Sequence, residues 1–337
     1  MKYKIIDAFI FFQELDLLEI RLSYLYPYVD LFIIVEACQT FTAKPKEFNF
    51  EKNIVRFSKY LDKIKYYKVE DYHKNYSSLE NFLSSQEDEI YNNILLSLES
   101  HKFYSKEEIH WVLESYHREC MRIPLSKFAN NDDIVMISDL DEIPSKNTFN
   151  LECKNKEMYF PVVYRQQEFR YFLNYYKDSD WLGTISSKYE NIKNLSLNDL
   201  RIDSKNTRNI VSKEVLENAG YHFTSCGGID MIKEKIKSWG HQEFNNSLIL
   251  SNLDKNIKEG RDIFMRENGT NLTRVAFNDE RIFDSEISII LEKYQDLISV
   301  RDINIQTDSY LKRITQKSML NLFKIIYKIK MLLKKIV

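Results

Sequence analysis

With 337 residues, 44% apolar and 14% aromatic, the chain has enough core-forming material for one large domain or two closely joined ones, which excludes a disordered protein. Its net charge of −2 is uneven: residues 311–337 hold eight Lys/Arg and no Asp/Glu, leaving 40 basic against 50 acidic residues elsewhere. That balance excludes a general nucleic-acid-binding face on the globular part, and 7 Gly and 5 Pro leave little room for glycine-rich phosphate loops or flexible linkers.

The first 140 residues alternate short apolar runs with helical patterns. Residues 4–9 read as a strand and 15–26 as a helix, with Leu15, Leu18, Leu22 and Leu25 on one face. Residues 30–36 and 64–69 read as two more strands. Residues 71–105 are polar and read as an insertion carrying a helix. Residues 106–130 have helical spacing, interrupted near Pro124. Residues 133–138 are another buried strand. Strands buried on both faces and separated by helices predict an α/β fold with a largely parallel sheet. After residue 155 the character changes. Residues 158–163, 169–176 and 181–189 read as aromatic strands, and 229–239 and 279–296 as helices. The expected division is an α/β half over 1–150, a mixed α+β half over 151–305 and a basic amphipathic helix over 306–337.

Cys38, Cys120, Cys153 and Cys226 are widely spaced, without the CxxC or His-rich pattern of a zinc site. Scattered thiols fit a reducing compartment. The apolar run in MKYKIIDAFIFF is too short to span a bilayer, and no small-residue cleavage site follows it. A cytoplasmic location is therefore expected.

The sharpest feature is Asp133-Ile-Val-Met-Ile-Ser-Asp-Leu-Asp-Glu-Ile-Pro144. In an extended chain residues i and i+2 face the same side, so Asp139 and Asp141 would point into one space and Leu140 away from it. In open α/β sheets the space beyond the carboxyl ends of the strands is where ligands bind. Two hard oxygen donors suit Mn²⁺ or Mg²⁺. Such a cation bridges a diphosphate and stabilises it as a leaving group. The plainer alternative is that Ser138 or Asp139 caps a short helix, with Glu142 and Pro144 in its first turn.

Three ordered blocks resemble glycosyltransferase family 17. The first is Ile6-Asp-Ala-Phe-Ile-Phe-Phe-Gln-Glu-Leu-Asp-Leu-Leu-Glu-Ile-Arg-Leu22, continuing to Val29-Asp-Leu-Phe-Ile-Ile-Val-Glu36 and Thr40-Phe41. The second is Ser138-Asp-Leu-Asp-Glu-Ile-Pro144. The third is Gly220-Tyr-His-Phe-Thr-Ser225 with Gly227-Gly228, running on to His241-Gln-Glu-Phe-Asn245. The resemblance extends over residues 3–265. Tyr221 stands where the family usually has Trp, and Gln13 where Asn is common. The membrane anchor and stem of the Golgi members do not appear, which points to a bacterial or viral-type member and puts a glycoprotein acceptor in doubt.

The resemblance implies a GT-A-like fold, with a Rossmann-like nucleotide-binding half and a mixed acceptor half. It also implies inversion at the anomeric carbon, Mn²⁺ or Mg²⁺, and a UDP-sugar donor, with N-acetylglucosamine as the expected sugar. The acceptor would be a glycan or a lipid-linked sugar. Inversion needs a general base. Asp230, after Gly227-Gly228 at a helix start, is one candidate, and Glu243 and Glu168 are its rivals. An ordinary helix-start acid is the alternative for Asp230. His222 matches the late histidine that often reaches the metal in such enzymes; a core histidine is its alternative, and His241 is a second choice. For the nucleotide the candidates are Phe11 with Phe12, Glu36, Lys44, Arg118, Asp139, and Gly183 in the Trp181-Leu-Gly-Thr184 loop. Their alternatives are core packing for Phe11, helix capping or loop ordering for Glu36, a solvated charge for Lys44, an ion pair with Glu114 for Arg118, and a strand-edge turn for Gly183.

The tail alternates apolar stretches with lysines, a pattern that lies on anionic membrane surfaces or packs a terminal helix on its own domain or a partner subunit. Two other functions compete with transfer: a metal-dependent nucleotide-sugar hydrolase or pyrophosphorylase, and a catalytically idle glycan-binding protein.

Overall fold

The apolar runs at the start of the chain become neighbouring strands, β1 (Ile5–Phe11) and β2 (Leu31–Ala37), joined by helix α1 (Leu15–Leu25). The computed structural model describes residues 3–101, 104–152, 161–205, 214–304 and 307–334. It divides into two compact units, Met1–Glu168 with Asp178–His222, and Phe169–Lys177 with Phe223–Val337.

In the first unit, the short helix α2 (Asn49–Lys52) and a 3₁₀ segment lead to β3 (Ile64–Val69), which pairs parallel with β2. Helices α3 (Tyr76–Ser84), α4 (Glu89–Ser100), α5 (Ile109–Glu119) and α6 (Arg122–Phe128) precede β4 (Ile134–Asp139). The helical spacing over 106–130, with the interruption expected near Pro124, is thus two helices. Pro124 has no N–H to offer the carbonyl of Cys120, and its ring crowds that carbonyl, so the chain breaks at Cys120–Met121.

β1 pairs parallel with both β2 and β4. Then come β5 (Glu142–Pro144), α7 (Lys146–Glu152), β6 (Val162–Arg170), β7 (Tyr175–Lys188), α8 (Tyr189–Ile192), α9 (Leu197–Lys205), β8 (Glu214–Leu216) and β9 (Gly220–Thr224). The strand order runs β3-β2-β1-β4-β7-β6-β9-β5, and β7 joins β4 antiparallel. This is the α/β class with the mostly parallel sheet expected from the sequence.

The strand alternation explains the core. Ile6 and Ala8 of β1, Ile33 and Val35 of β2, and Val135 and Ile137 of β4 share one face and pack against Leu79, Ile94, Val112, Leu113 and Tyr116 of the helices. The opposite parity of β1 carries Asp7, Phe9 and Phe11, all buried.

Residues 169–176, expected as a strand, are the end of β6, a tight connection and the start of β7; Tyr171 there adopts a left-handed backbone, φ 69°. Of the strand expected over 158–163, residues 158–160 lie outside the described residues, and β6 begins at Val162.

The second unit holds α10 (Ile229–Ser238), α11 (Ser247–Lys258), β10 (Thr273–Arg274), α12 (Ser285–Leu291) and α13 (Tyr310–Lys334). β10 pairs with the first residues of β7. Ile232, Ile236, Phe244, Ile249, Leu253, Phe264 and Leu272 form its core. The helix expected over 279–296 shortens to α12 because Asp284 caps it late, accepting from the amides of Glu286 and Ile287 at 3.0 and 3.2 Å. Among the described residues no helix is long and apolar enough to cross a membrane.

Candidate active site at the end of the fourth strand

β4 ends at Asp139, Leu140 and Asp141 form a turn, and β5 begins at Glu142. The strand therefore does not run extended through Asp141, and the turn sets the relation of the two aspartates. The helix-cap alternative is not what forms: residues 142–144 are a strand, and the next helix starts at Lys146. Strand pairing brings Glu142 opposite His222, Ile143 opposite Tyr221 and Pro144 opposite Gly220.

The turn is built on a buried arginine that the sequence reading passed over. Arg21 of α1 has no exposed surface. It pairs with Asp7 through Nη2 at 2.6 Å and Nε at 2.8 Å. It also donates to Ser138 Oγ at 2.6 Å and to the carbonyls of Asp139, Leu140 and Glu142 at 3.0, 3.0 and 2.9 Å. One planar guanidinium thus ties β1 to the backbone of the whole Asp-Leu-Asp turn. The signal was present in the sequence: a lone Asp inside an apolar strand and a lone Arg inside the apolar face of a helix need each other once buried.

Two more arginines meet the Asp139 carboxylate. Arg118 of α5 reaches Oδ1 at 3.1 Å, with Asn198 at 2.6 Å and Glu114 at 3.5 Å as its other partners. The ion pair with Glu114 and the contact with the site coexist. Arg201 of α9 reaches Oδ2 at 3.2 Å, pairs closely with Glu142 and donates to the carbonyl of Gly183. Burial works against both charged guanidiniums. Asp139 and Glu114 around Arg118, and Glu142 and Asp139 around Arg201, more than offset it and keep both pKa values above the ordinary range.

Glu142 is fully buried. It accepts from Trp181 Nε1 at 2.8 Å and from the Asp139 amide at 3.1 Å. Trp181 stacks on His222 with ring centroids 4.0 Å apart, and His222 Nε2 lies 3.7 Å from Asp141 Oδ1. The side chains of Asp139 and Asp141 are 31% and 11% exposed, so the carboxylates remain reachable from solvent.

The structure thus gathers Asp139, Asp141, His222, Arg118 and Gly183 of the expected residues. Gly183 is tightly enclosed: a Cβ there would stand 1.8 Å from Gln166 Oε1. Glu168 is buried on β6 in the same unit. Phe11 is buried in β1. Glu36 is buried and accepts from Lys46 Nζ, the amides of Asn49 and Phe50, and Tyr66 Oη, which makes it an organiser of residues 46–50. Lys44 is an exposed loop charge.

Asp230 and Glu243 belong to the second unit. Asp230 lies in the first turn of α10, its side chain 98% exposed and 3.3 Å from Lys233. Burial alone would raise the Glu243 pKa, but the hydrogen bond from His241 Nδ1 at 2.9 Å, the charge of His241, a backbone hydrogen bond and the charge of Lys324 together outweigh it and leave the carboxyl below its usual value.

A divalent cation fits these donors by chemistry. Asp139 and Asp141 offer hard oxygens, and His222 a nitrogen that Mn²⁺ accepts. Among the described residues no three His, Cys, Asp or Glu side chains form a ready-made cage. Cations that share their shell with substrate phosphates are held by one or two carboxylates without such a cage.

The sequence model of glycosyltransferase family 17 matches residues 1–100 and 82–268. No curated protein matches the chain significantly. Among solved structures, the apo form of mouse xyloside xylosyltransferase 1 is similar over 50% of this chain and 54% of that one, at 11% identity and a TM-score of 0.25. The chain therefore spans about half the length of that protein.

Proposed function

The chain belongs to glycosyltransferase family 17, and from that premise we propose that it transfers a sugar, N-acetylglucosamine, from a UDP-sugar to a hydroxyl of a glycan or lipid-linked sugar, with inversion and with Mn²⁺ or Mg²⁺. The observation that carries this reading is the Asp139-Leu140-Asp141 turn at the carboxyl end of a parallel strand, tied down by Arg21. In this proposal Asp139 and Asp141 hold the cation. The bound cation would offset the charge that gathers on the departing diphosphate.

The remaining work falls to the chain's own side chains. Arg118 and Arg201 are kept charged beside Asp139 and would meet diphosphate oxygens. Their positions are fixed before substrate arrives by Asn198, Glu142 and the Gly183 carbonyl, so little reorganisation is needed at the moment of transfer. The acceptor oxygen attacks the anomeric carbon, the bond from that carbon to the diphosphate oxygen breaks, and a carboxylate takes the acceptor's proton. Glu168, Asp230 and Glu243 are the candidates for that base. Replacing the true base by its amide lowers kcat by about 10²–10⁴-fold and leaves Mn²⁺-dependent UDP binding intact. If Glu168→Gln, Asp230→Asn and Glu243→Gln all keep their kcat, the base is another residue.

The test of the reaction class is UDP release from UDP-N-acetylglucosamine with and without a panel of sugar acceptors. Transfer predicts release that rises with one acceptor class and stops on chelation. Release indifferent to every acceptor would instead favour a hydrolase.

A further inference from the structure

We propose that α13 is a docking element that lies flat on an anionic lipid surface. The helix is joined to the second unit by one side only. Leu320 is 6% exposed and belongs to that unit's core. Lys324 Nζ stands 5.4 Å from the centre of the Phe244 ring, and Lys312 reaches Asp308, which also holds Arg261.

At about 100° per residue, the opposite side of the helix carries Leu311, Ile314, Leu322, Ile325, Ile329 and Leu332. All six are 45–76% exposed. The helix therefore turns its apolar face outward and a mixed face toward its own domain. This is the reverse of what a terminal helix does when its purpose is to complete a core.

The charges name the occupant. Lys317 and Lys328 run along one edge of the apolar face and Lys330 along the other, all exposed, and residues 311–337 contain no acid. Lysines at the edges of an apolar stripe bury their methylene stems while the ammonium groups reach lipid phosphates. A second copy of the helix fits poorly, because pairing two such faces sets lysine against lysine. The geometry is parallel to a bilayer plane, since the helix is not apolar enough to cross one.

The test is co-sedimentation of the full chain with vesicles of phosphatidylcholine alone and of phosphatidylcholine with about one third phosphatidylglycerol. The proposal expects binding only to the anionic vesicles, weakening as salt is added. Leu322→Glu/Ile325→Glu/Ile329→Glu lowers the partition by about tenfold or more. Lys317→Gln and Lys328→Gln each lower it about fivefold. Circular dichroism melting checks that the triple variant is folded; if it is not, the two lysine variants decide. Equal binding to neutral and anionic vesicles, or equal recovery of parent and variants, overturns the proposal. So does a dimer in light scattering that the triple variant dissolves while vesicle binding is absent.

Discussion

Asp7 and Arg21 form an ion pair with no exposed side-chain surface on either partner. Removing one member of such a pair leaves the other charge buried without compensation, at a cost of about 3–5 kcal/mol. Arg21→Met is therefore expected to lower unfolding free energy by that amount in urea denaturation. Arg21→Met with Asp7→Leu should recover much of the loss, because the stranded carboxylate is gone. Activity separates the two: the double variant still lacks the donors to the carbonyls of Asp139, Leu140 and Glu142, so it should stay impaired. A double variant with parental turnover would show that Arg21 serves only stability. Both residues were legible as exceptions to an apolar pattern. Arg201 was harder to find, since no apolar run surrounds it in Asn198-Asp-Leu-Arg-Ile-Asp203 and only the fold brings it to Asp139.

Helix α5 and strand β7 each carry a feature that belongs to the element. On α5, burial lowers the His117 imidazole to about 3, against about 6.5 in an unfolded chain. Between those values the unfolded chain holds a proton that the folded chain does not. Stability thus rises with pH from about 3 to about 6.5 and is fully present above that window, with a slope of up to about 1.4 kcal/mol per pH unit. His117 Nε2 has no hydrogen-bond partner among the described residues, which agrees with a neutral ring held by packing. His117→Gln should flatten this part of the stability profile, measured by denaturation at several pH values; an unchanged slope would contradict it. On β7, the space at Gly183 is filled by Gln166 of β6. Gly183→Ala is expected to cost about 1–3 kcal/mol, and adding Gln166→Ala should restore most of it. No single-sequence pattern reveals such a contact, because it depends on which strand lies alongside.

For the whole molecule, periodicity placed the strands of the parallel sheet well. β3 covers the same residues, 64–69, that its apolar pattern marks, and β1, β2 and β4 extend or shift by a residue or two. It failed where a local device overrides it: Asp284 starts a helix late, and the 171–174 connection interrupts an aromatic run, whereas the interruption expected near Pro124 is the break between α5 and α6. The Asp-Leu-Asp segment was legible as a strand-end acidic motif. Its turn geometry and the convergence of Arg21, Arg118 and Arg201 on it were not, because α1, α5 and α9 bring them from distant parts of the sequence. The central claim is that Asp139 and Asp141 hold a cation that ties a nucleoside diphosphate to this turn. Calorimetric titration of UDP into the protein with Mn²⁺, beside folded Asp141→Ala, tests it most directly. The account predicts UDP binding that requires Mn²⁺ and is lost in the variant; the same metal-dependent binding in both proteins would contradict it.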